Sequence, residues 1–286
     1  MSLLRNPYAP FDDDLRQAFE ANIAAALAED IGTGDVTGKL VPEHMMKARV
    51  IVREQAVLCG APWFEAVMKQ LDARIVLTWR YAEGDLMKAD SEVCEIEAPA
   101  RALLTAERTA LNFMQLLSGV ATATRRYVEI VAGTKASILD TRKTLPGLRL
   151  AQKYAVRVGG GQNQRLALYD GILIKENHIA AAGGVRAAMH LAQSLNAGVS
   201  IQIEVETLAQ LDEALEAGAK SILLDNFSFA MMRDAVERTA GRALLEASGN
   251  VNATTVRTIA ETGVDRISIG SLTKDVKATD YSLRII

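Results

Sequence analysis

Residues 201–250 read IQIEVETLAQLDEALEAGAKSILLDNFSFAMMRDAVERTAGRALLEASGN, and their pattern decides the architecture of the chain. Short runs rich in Ile, Val and Leu, at 201–206, 221–225 and 243–248, alternate with stretches of helical spacing, and each run ends on polar residues. The same kind of run occurs before them at 137–140 and 171–175, and after them at 266–270. From Glu204 onward the ends, Glu204, Asp225, Ser248 and Gly270, recur every 21 to 23 residues, the length of one βα unit. Strands joined by crossover helices pair in parallel. In a barrel of such units the C-terminal strand ends converge on one mouth, where active sites are built. Asp140, Lys175, Glu204, Asp225, Ser248 and Gly270 are therefore expected to face a common cavity.

Upstream the pattern differs. Phe11, Leu15, Phe19, Ile23, Leu27 and Ile31 recur every four residues along one helix face, with Asp12, Asp13 and Asp14 in the first turn, where acids complement the helix dipole. The GTGDVT segment at 32–37 ends that helix; it lacks the lysine and the preceding strand of a phosphate-binding P-loop. Strands are expected at 47–53, 74–79 and 92–96, with helical material at 63–71 between the first two. Residues 101–131 return to helical spacing, with Leu104, Leu111, Met114 and Leu117 toward a core and Gly119 as the expected break. The first hundred residues thus read as a small α+β domain ahead of an α/β barrel.

Charge points to the ligand. The window 140–178 holds seven basic residues (Arg142, Lys143, Arg149, Lys153, Arg157, Arg165, Lys175) against three acidic ones. That local excess of +4 stands on a chain of formal charge −3, so the remainder carries −7. Gathered cations on an acidic protein suit a small polyanion that accepts forked hydrogen bonds from Arg, whereas nucleic acid needs a broader basic surface. Glu204 and Asp225 could hold a divalent cation that bridges to phosphate oxygens, although capping of the following helix is an equal competing role for either acid. The turns Ser248-Gly249-Asn250 and Gly270-Ser271 offer backbone N–H groups to a phosphate. Of the histidines, His44 and His190 have no metal-ligand spacing, and His178 alone falls in the charged window.

The 286 residues suggest two domains, or one large barrel with an appendage, and the 49% apolar content supplies a substantial interior. No apolar run approaches the roughly 18 residues of a bilayer span, and residues 1–10 show no secretory segment. Cys59 and Cys94 lack metal-like spacing and read as reduced core residues of a cytoplasmic protein.

The motifs DTRKTLPGLR (140–149), KYAV (153–156), GGGQNQR (159–165), LIKENH (173–178), IEVE (203–206), LLDN (223–226), EASGN (246–250) and ISIGSLT (267–273), in this order and spacing, resemble the quinolinate phosphoribosyltransferase family. The likeness runs from GTGDVT at 32–37 to YSLRI at 281–285. It implies an α/β sandwich domain over 1–115, to which the tail 272–286 returns, and an incomplete parallel α/β barrel over 116–271. It also implies a homodimer whose sites are completed by the partner chain. Carried over by position, the quinolinate pocket falls on Arg142, Arg165 and Lys175, with Arg108 arriving from the other subunit. The phosphoribosyl pyrophosphate side falls on Lys143, Glu204 and Asp225, the two acids also holding Mg²⁺, and the 5-phosphate on the turns at Ser248-Gly249-Asn250 and Gly270-Ser271. Lys143, Lys175, Glu204 and Asp225 are the implied catalytic residues.

The chain departs from the family at one place, with Gln164 where Asn-His-Arg is usual. Gln hydrogen-bonds a carboxylate but carries no charge. Three other readings stay open to the sequence: a related phosphoribosyltransferase-like protein associated with molybdenum transport, a Schiff-base aldolase using Lys175, and a non-catalytic anion sensor.

Overall fold

The computed structural model describes residues 4–286. Residues 1–3, part of the 1–10 stretch examined for a secretory segment, lie outside them. The chain divides into two compact units, the first made of the described residues up to Arg125 with Thr144–Gly160 and Leu272–Ile286, the second of Arg126–Lys143 and Gly161–Ser271. The expected boundaries, 1–115 with 272–286 against 116–271, differ from this division chiefly at Thr144–Gly160.

In the first unit, α1 (Asp13–Ile31) starts at Asp12, whose side chain accepts from the Leu15 N–H at 2.8 Å, and stops at Gly32, whose φ of 52° closes the last turn. Its four-residue stripe points inward: Leu15, Ile23 and Leu27 are buried, and Phe11, Phe19 and Ile31 pack against the same core. Phe11, Phe19, Trp63 and Tyr154 form an aromatic cluster with centroids 5.0–5.6 Å apart. Tyr154 is why the segment 144–160 belongs here, since its ring and those of α1 and α2 share one core.

Strands β1 (Met45–Val52), β2 (Ala56–Val57), β3 (Val76–Trp79), β4 (Leu86–Met87) and β5 (Ser91–Pro99) follow, with α2 (Ala61–Leu71) between β2 and β3. β1 pairs antiparallel with β5, and β5 with β3; the tail returns as a strand on the other side of β1, with Val52 opposite Tyr281 and Ala48 opposite Ile285. Alternation in KARVIVR buries Ala48, Val50 and Val52, each with no exposed surface. The β2–β4 ribbon is a separate antiparallel pair.

Helix α3 (Ala100–Ile130) runs through Gly119 without a break, contrary to the sequence reading. A Cβ on Gly119 would overlap the Lys277 carbonyl oxygen, so this glycine answers to the close passage of the tail and not to helix termination.

Glu83, 2% exposed, ties this unit together. One carboxylate oxygen accepts from the Gly60 N–H at 2.8 Å and the Tyr154 hydroxyl at 3.0 Å, the other from the Ala61 N–H at 3.2 Å, so it caps the N-terminus of α2 from a distant loop. Burial pushes its carboxyl up to about 7 from an ordinary value of 4.5. Between those values the native chain retains a proton that the unfolded chain has released. Stability is therefore expected to fall as pH rises through that interval, by at most about 3 kcal/mol from this group. Urea unfolding across the interval measures the slope, which Glu83→Gln should flatten; an equal slope in the variant would assign it elsewhere.

The second unit is built on six parallel strands: β6 (Ser137–Leu139), β7 (Gly171–Ile174), β8 (Ser200–Val205), β9 (Ser221–Asp225), β10 (Leu244–Ser248) and β11 (Arg266–Ser268), in the order β6-β11-β10-β9-β8-β7. The first strand pairs with the last, yet β6 and β7 do not pair with each other, which leaves the barrel incomplete. Gln162 bridges to Leu139 beside that opening. Helices α5 (Glu176–Ala182), α6 (Val185–Ser194), α7 (Leu208–Glu216), α8 (Phe229–Thr239) and α9 (Val256–Glu261) make the crossovers, and α4 (Arg149–Val158) belongs to the first unit. A short α10 (Ser271–Lys274) leads to the tail strand β12 (Tyr281–Ile285).

Cys59 and Cys94 are buried and free. Among the described residues no helix is long and apolar enough to cross a membrane.

Candidate active site

Period-two alternation decides what each strand presents. On β8 Glu204 shares a face with Gln202; on β10 Ser248 shares one with Glu246; Asp225 closes β9. Lys175, just past β7, places Nζ 3.3 Å from Glu204 Oε2. Burial raises the Glu204 carboxyl above its ordinary value, Lys175 opposes that rise, and the nearby charge of Asp225 adds to it. Lys175, Glu204 and Asp225 therefore lie close enough to feel one another.

Arg142 and Arg165 lie near each other as well. Burial lowers the Arg165 guanidinium, and the charge of Arg142 lowers it further, with Asp170 acting against both. Arg165 Nη1 is tethered to the Gly171 carbonyl at 3.0 Å, and Arg142 Nε is buried with no hydrogen-bond partner among the described residues. Two like charges, partly desolvated, with an unmatched donor, are an arrangement that a bound anion would relieve.

Lys143 crosses Gly270, where an added Cβ would sit 3.1 Å from Lys143 Cδ. Gly249 at φ 97° and Asn250 at φ 50° turn the chain after β10. A Cβ at Gly249 would overlap the Asn226 side chain, so the turn admits only glycine. The N–H groups of Gly249, Asn250 and Gly270 make no hydrogen bond among the described residues, and such clustered free donors suit an anion. Ser271 opens α10.

The charged window of the sequence is split by the fold. Arg142, Lys143, Arg165 and Lys175 belong to the second unit, whereas Arg149, Lys153 and Arg157 ride on α4 in the first, Lys153 being only 1% exposed. Arg108 is an exposed residue of α3 in the first unit, and its side chain makes no hydrogen bond or ion pair among the described residues. His178 accepts from the Lys175 N–H at 3.0 Å and so closes the first turn of α5.

Three polar residues of this unit, Asn163, Gln202 and Glu246, have no role in the sequence reading, and Asp140 has there only its place at a strand end. Asp140, fully buried, accepts from Asn163 Nδ2 at 2.6 Å and from the Gln164 N–H at 2.9 Å, and so binds the segment preceding Arg165 to the end of β6. Its place at a strand end was legible, its holding role was not. Asn163, Gln202 and Glu246 were passed over, although Gln and Glu at positions two before Glu204 and Ser248 mark a polar inward face.

Residues 35–118 match the family model for the N-terminal domain of quinolinate phosphoribosyl transferase, and residues 120–284 that for its C-terminal domain. A probable nicotinate-nucleotide pyrophosphorylase (carboxylating) of Bacillus subtilis is 40% identical over 259 residues, 90% of each chain. The chloroplastic nicotinate-nucleotide pyrophosphorylase (carboxylating) of Arabidopsis thaliana is 38% identical over 93% of this chain and 82% of its own length. The solved nicotinate-nucleotide pyrophosphorylase of Francisella tularensis superposes with a TM-score of 0.92 at 43% identity, covering 97% of this chain and 98% of that one. These matches span both units and include every strand end assembled above, and the chain belongs to the quinolinate phosphoribosyl transferase family.

Proposed function

We propose that this chain transfers the phosphoribosyl group of phosphoribosyl pyrophosphate to the ring nitrogen of quinolinate, releasing pyrophosphate and CO₂ and leaving nicotinate mononucleotide. The observation that carries this reading is the mutual approach of Arg142 and Arg165 in the same unit as the Lys175–Glu204–Asp225 group. The guanidinium pair binds and orients the two carboxylates of quinolinate. Lys143 and the free N–H groups of Gly249, Asn250 and Gly270 take the phosphates of the donor, with Ser248 and Ser271 beside them. The ring nitrogen forms a bond to the ribose carbon as the bond to pyrophosphate breaks. The pyridinium so formed accepts the electron pair left when the 2-carboxylate departs as CO₂, and that ring carbon then takes a proton. Orientation and desolvation are the protein's main contributions, and no covalent nucleophile is required. Lys175, ion-paired with Glu204, is disposed as a cation rather than as a carbonyl-trapping amine.

Glu204 and Asp225 fit Mg²⁺ by their chemistry: two carboxylates on adjacent strands, one of them raised by burial and by the other's charge. Among the described residues no cluster of three or more such ligands exists, so the ion would complete its shell with substrate oxygens and water. Bound there, it supplies positive charge to the departing pyrophosphate. The reading includes a cytoplasmic homodimer, supported by two buried free thiols and by an exposed Arg108 whose side chain has no partner among the described residues.

Glu204→Ala and Asp225→Ala are expected to weaken use of Mg²⁺ and phosphoribosyl pyrophosphate while leaving binary quinolinate binding largely intact. Calorimetry with each substrate separately tests this, and the opposite selectivity would reject it. Gln164→His should bring a new ionisation near about 6.5 into the pH dependence of activity, because Gln does not titrate. Superimposable pH profiles would remove residue 164 from any charge-sensitive contact with the reacting groups.

A further inference from the structure

Two buried polar residues have no part in the chemistry set out above. Gln202 is 6% exposed and Glu246 1% exposed, on β8 and β10, two positions before Glu204 and Ser248 and thus one pleat deeper than the strand ends. They belong to a single chain of hydrogen bonds. Glu246 Oε2 accepts from Gln202 Nε2 at 2.9 Å, Gln202 Oε1 accepts from Gln164 Nε2 at 2.6 Å, and Gln164 Oε1 accepts from the Arg165 N–H at 2.6 Å.

The direction of each bond is set at the far end. A carboxylate oxygen only accepts, so Gln202 turns its amide nitrogen to Glu246 and its oxygen to Gln164. Gln164 must then offer its nitrogen to Gln202, which leaves its oxygen for the Arg165 N–H. Asp140 holds the same segment from the other side through the Gln164 N–H and Asn163. Stability does not explain the carboxylate, because Glu246 Oε1 is buried with no hydrogen-bond partner among the described residues, and an unmatched buried acceptor destabilises.

We infer that Gln202 and Glu246 are positioning residues that, through Gln164, fix the backbone of Arg165 and so aim its guanidinium at quinolinate. This rests on the reading of Arg165 as a carboxylate-binding group. The relay acts on one substrate, which distinguishes it from general support of the barrel.

Gln202→Leu and Glu246→Leu, alone, together and in an Arg165→Ala background, are to be assayed for both substrates, with thermal midpoints. Each single variant is expected to raise the quinolinate KM about tenfold or more while moving that for phosphoribosyl pyrophosphate less than about twofold. The Glu246→Leu midpoint should be unchanged or higher. The pair should be no worse than the poorer single variant, and in the Arg165→Ala background, read as quinolinate affinity by isothermal titration, either change should add less than about twofold. Losses that multiply with Arg165→Ala, or equal rises in both KM values, would overturn the inference while leaving the site assignment in place. If Arg165→Ala alone spared quinolinate binding, the site assignment would fail and the inference with it. Should the Leu variants not fold, Gln202→Met keeps the side-chain length and removes both the donor to Glu246 and the acceptor for Gln164; a selective rise in quinolinate KM is again expected, and an unchanged value overturns the relay.

Discussion

Arg142→Ala and Arg165→Ala are each expected to weaken quinolinate binding by about 1.5–3 kcal/mol or more, roughly a tenfold to more than a hundredfold loss. The size follows from the surroundings. Burial and the charge of Arg142 both act against the Arg165 guanidinium, Asp170 offsets them in part, and a bound anion would relieve them further. Removing one leaves a carboxylate of the ligand without its charged partner, while the buried Nε of Arg142 shows that the empty arrangement is not self-satisfied. Lysine at either position should restore charge but not the forked geometry, and so recover only part of the affinity. Isothermal titration with quinolinate alone provides the measurement. Unchanged affinity in both alanine variants would end the assignment.

The second large effect concerns Arg108. Its side chain is exposed and unpaired among the described residues, and as a solvated helix arginine its loss would be nearly silent. If it instead serves the site of a partner chain, Arg108→Ala and Arg165→Ala are each inactive alone, yet mixing and re-forming the two restores activity. In a symmetric dimer both substitutions then fall into one site of the heterodimer and leave the other intact. Random re-association should recover about a quarter of wild-type sites. Inactive variants that never complement would show that Arg108 acts within its own chain, and an active Arg108→Ala would remove it from the site.

The regularity of the βα units made the barrel legible, because parallel strands buried on both sides require apolar runs and a crossover of nearly constant length. Glu204, Asp225, Ser248 and Gly270 could be placed at strand ends by counting alone. The α1 stripe was legible for the same reason, a 3.6-residue period with acids at its start. Gly119 was misread because a glycine within a helical pattern looks the same whether it ends the helix or admits a crossing chain.

Local sequence therefore determined which elements form and which polar residues stand at their ends, since dihedral preference and burial period act over a few neighbours. Only the tertiary structure decided which of those residues meet. It assigned Arg149, Lys153 and Arg157 to α4 and the first unit, dividing a charge cluster that is continuous in the chain. It brought Glu83 to the N-terminus of α2 and joined Gln164 to Gln202 and Glu246, 38 and 44 residues apart at successive steps. Such contacts form between residues whose separation along the chain carries no periodic signal, because burial, not proximity in sequence, forces each polar group to find its partner.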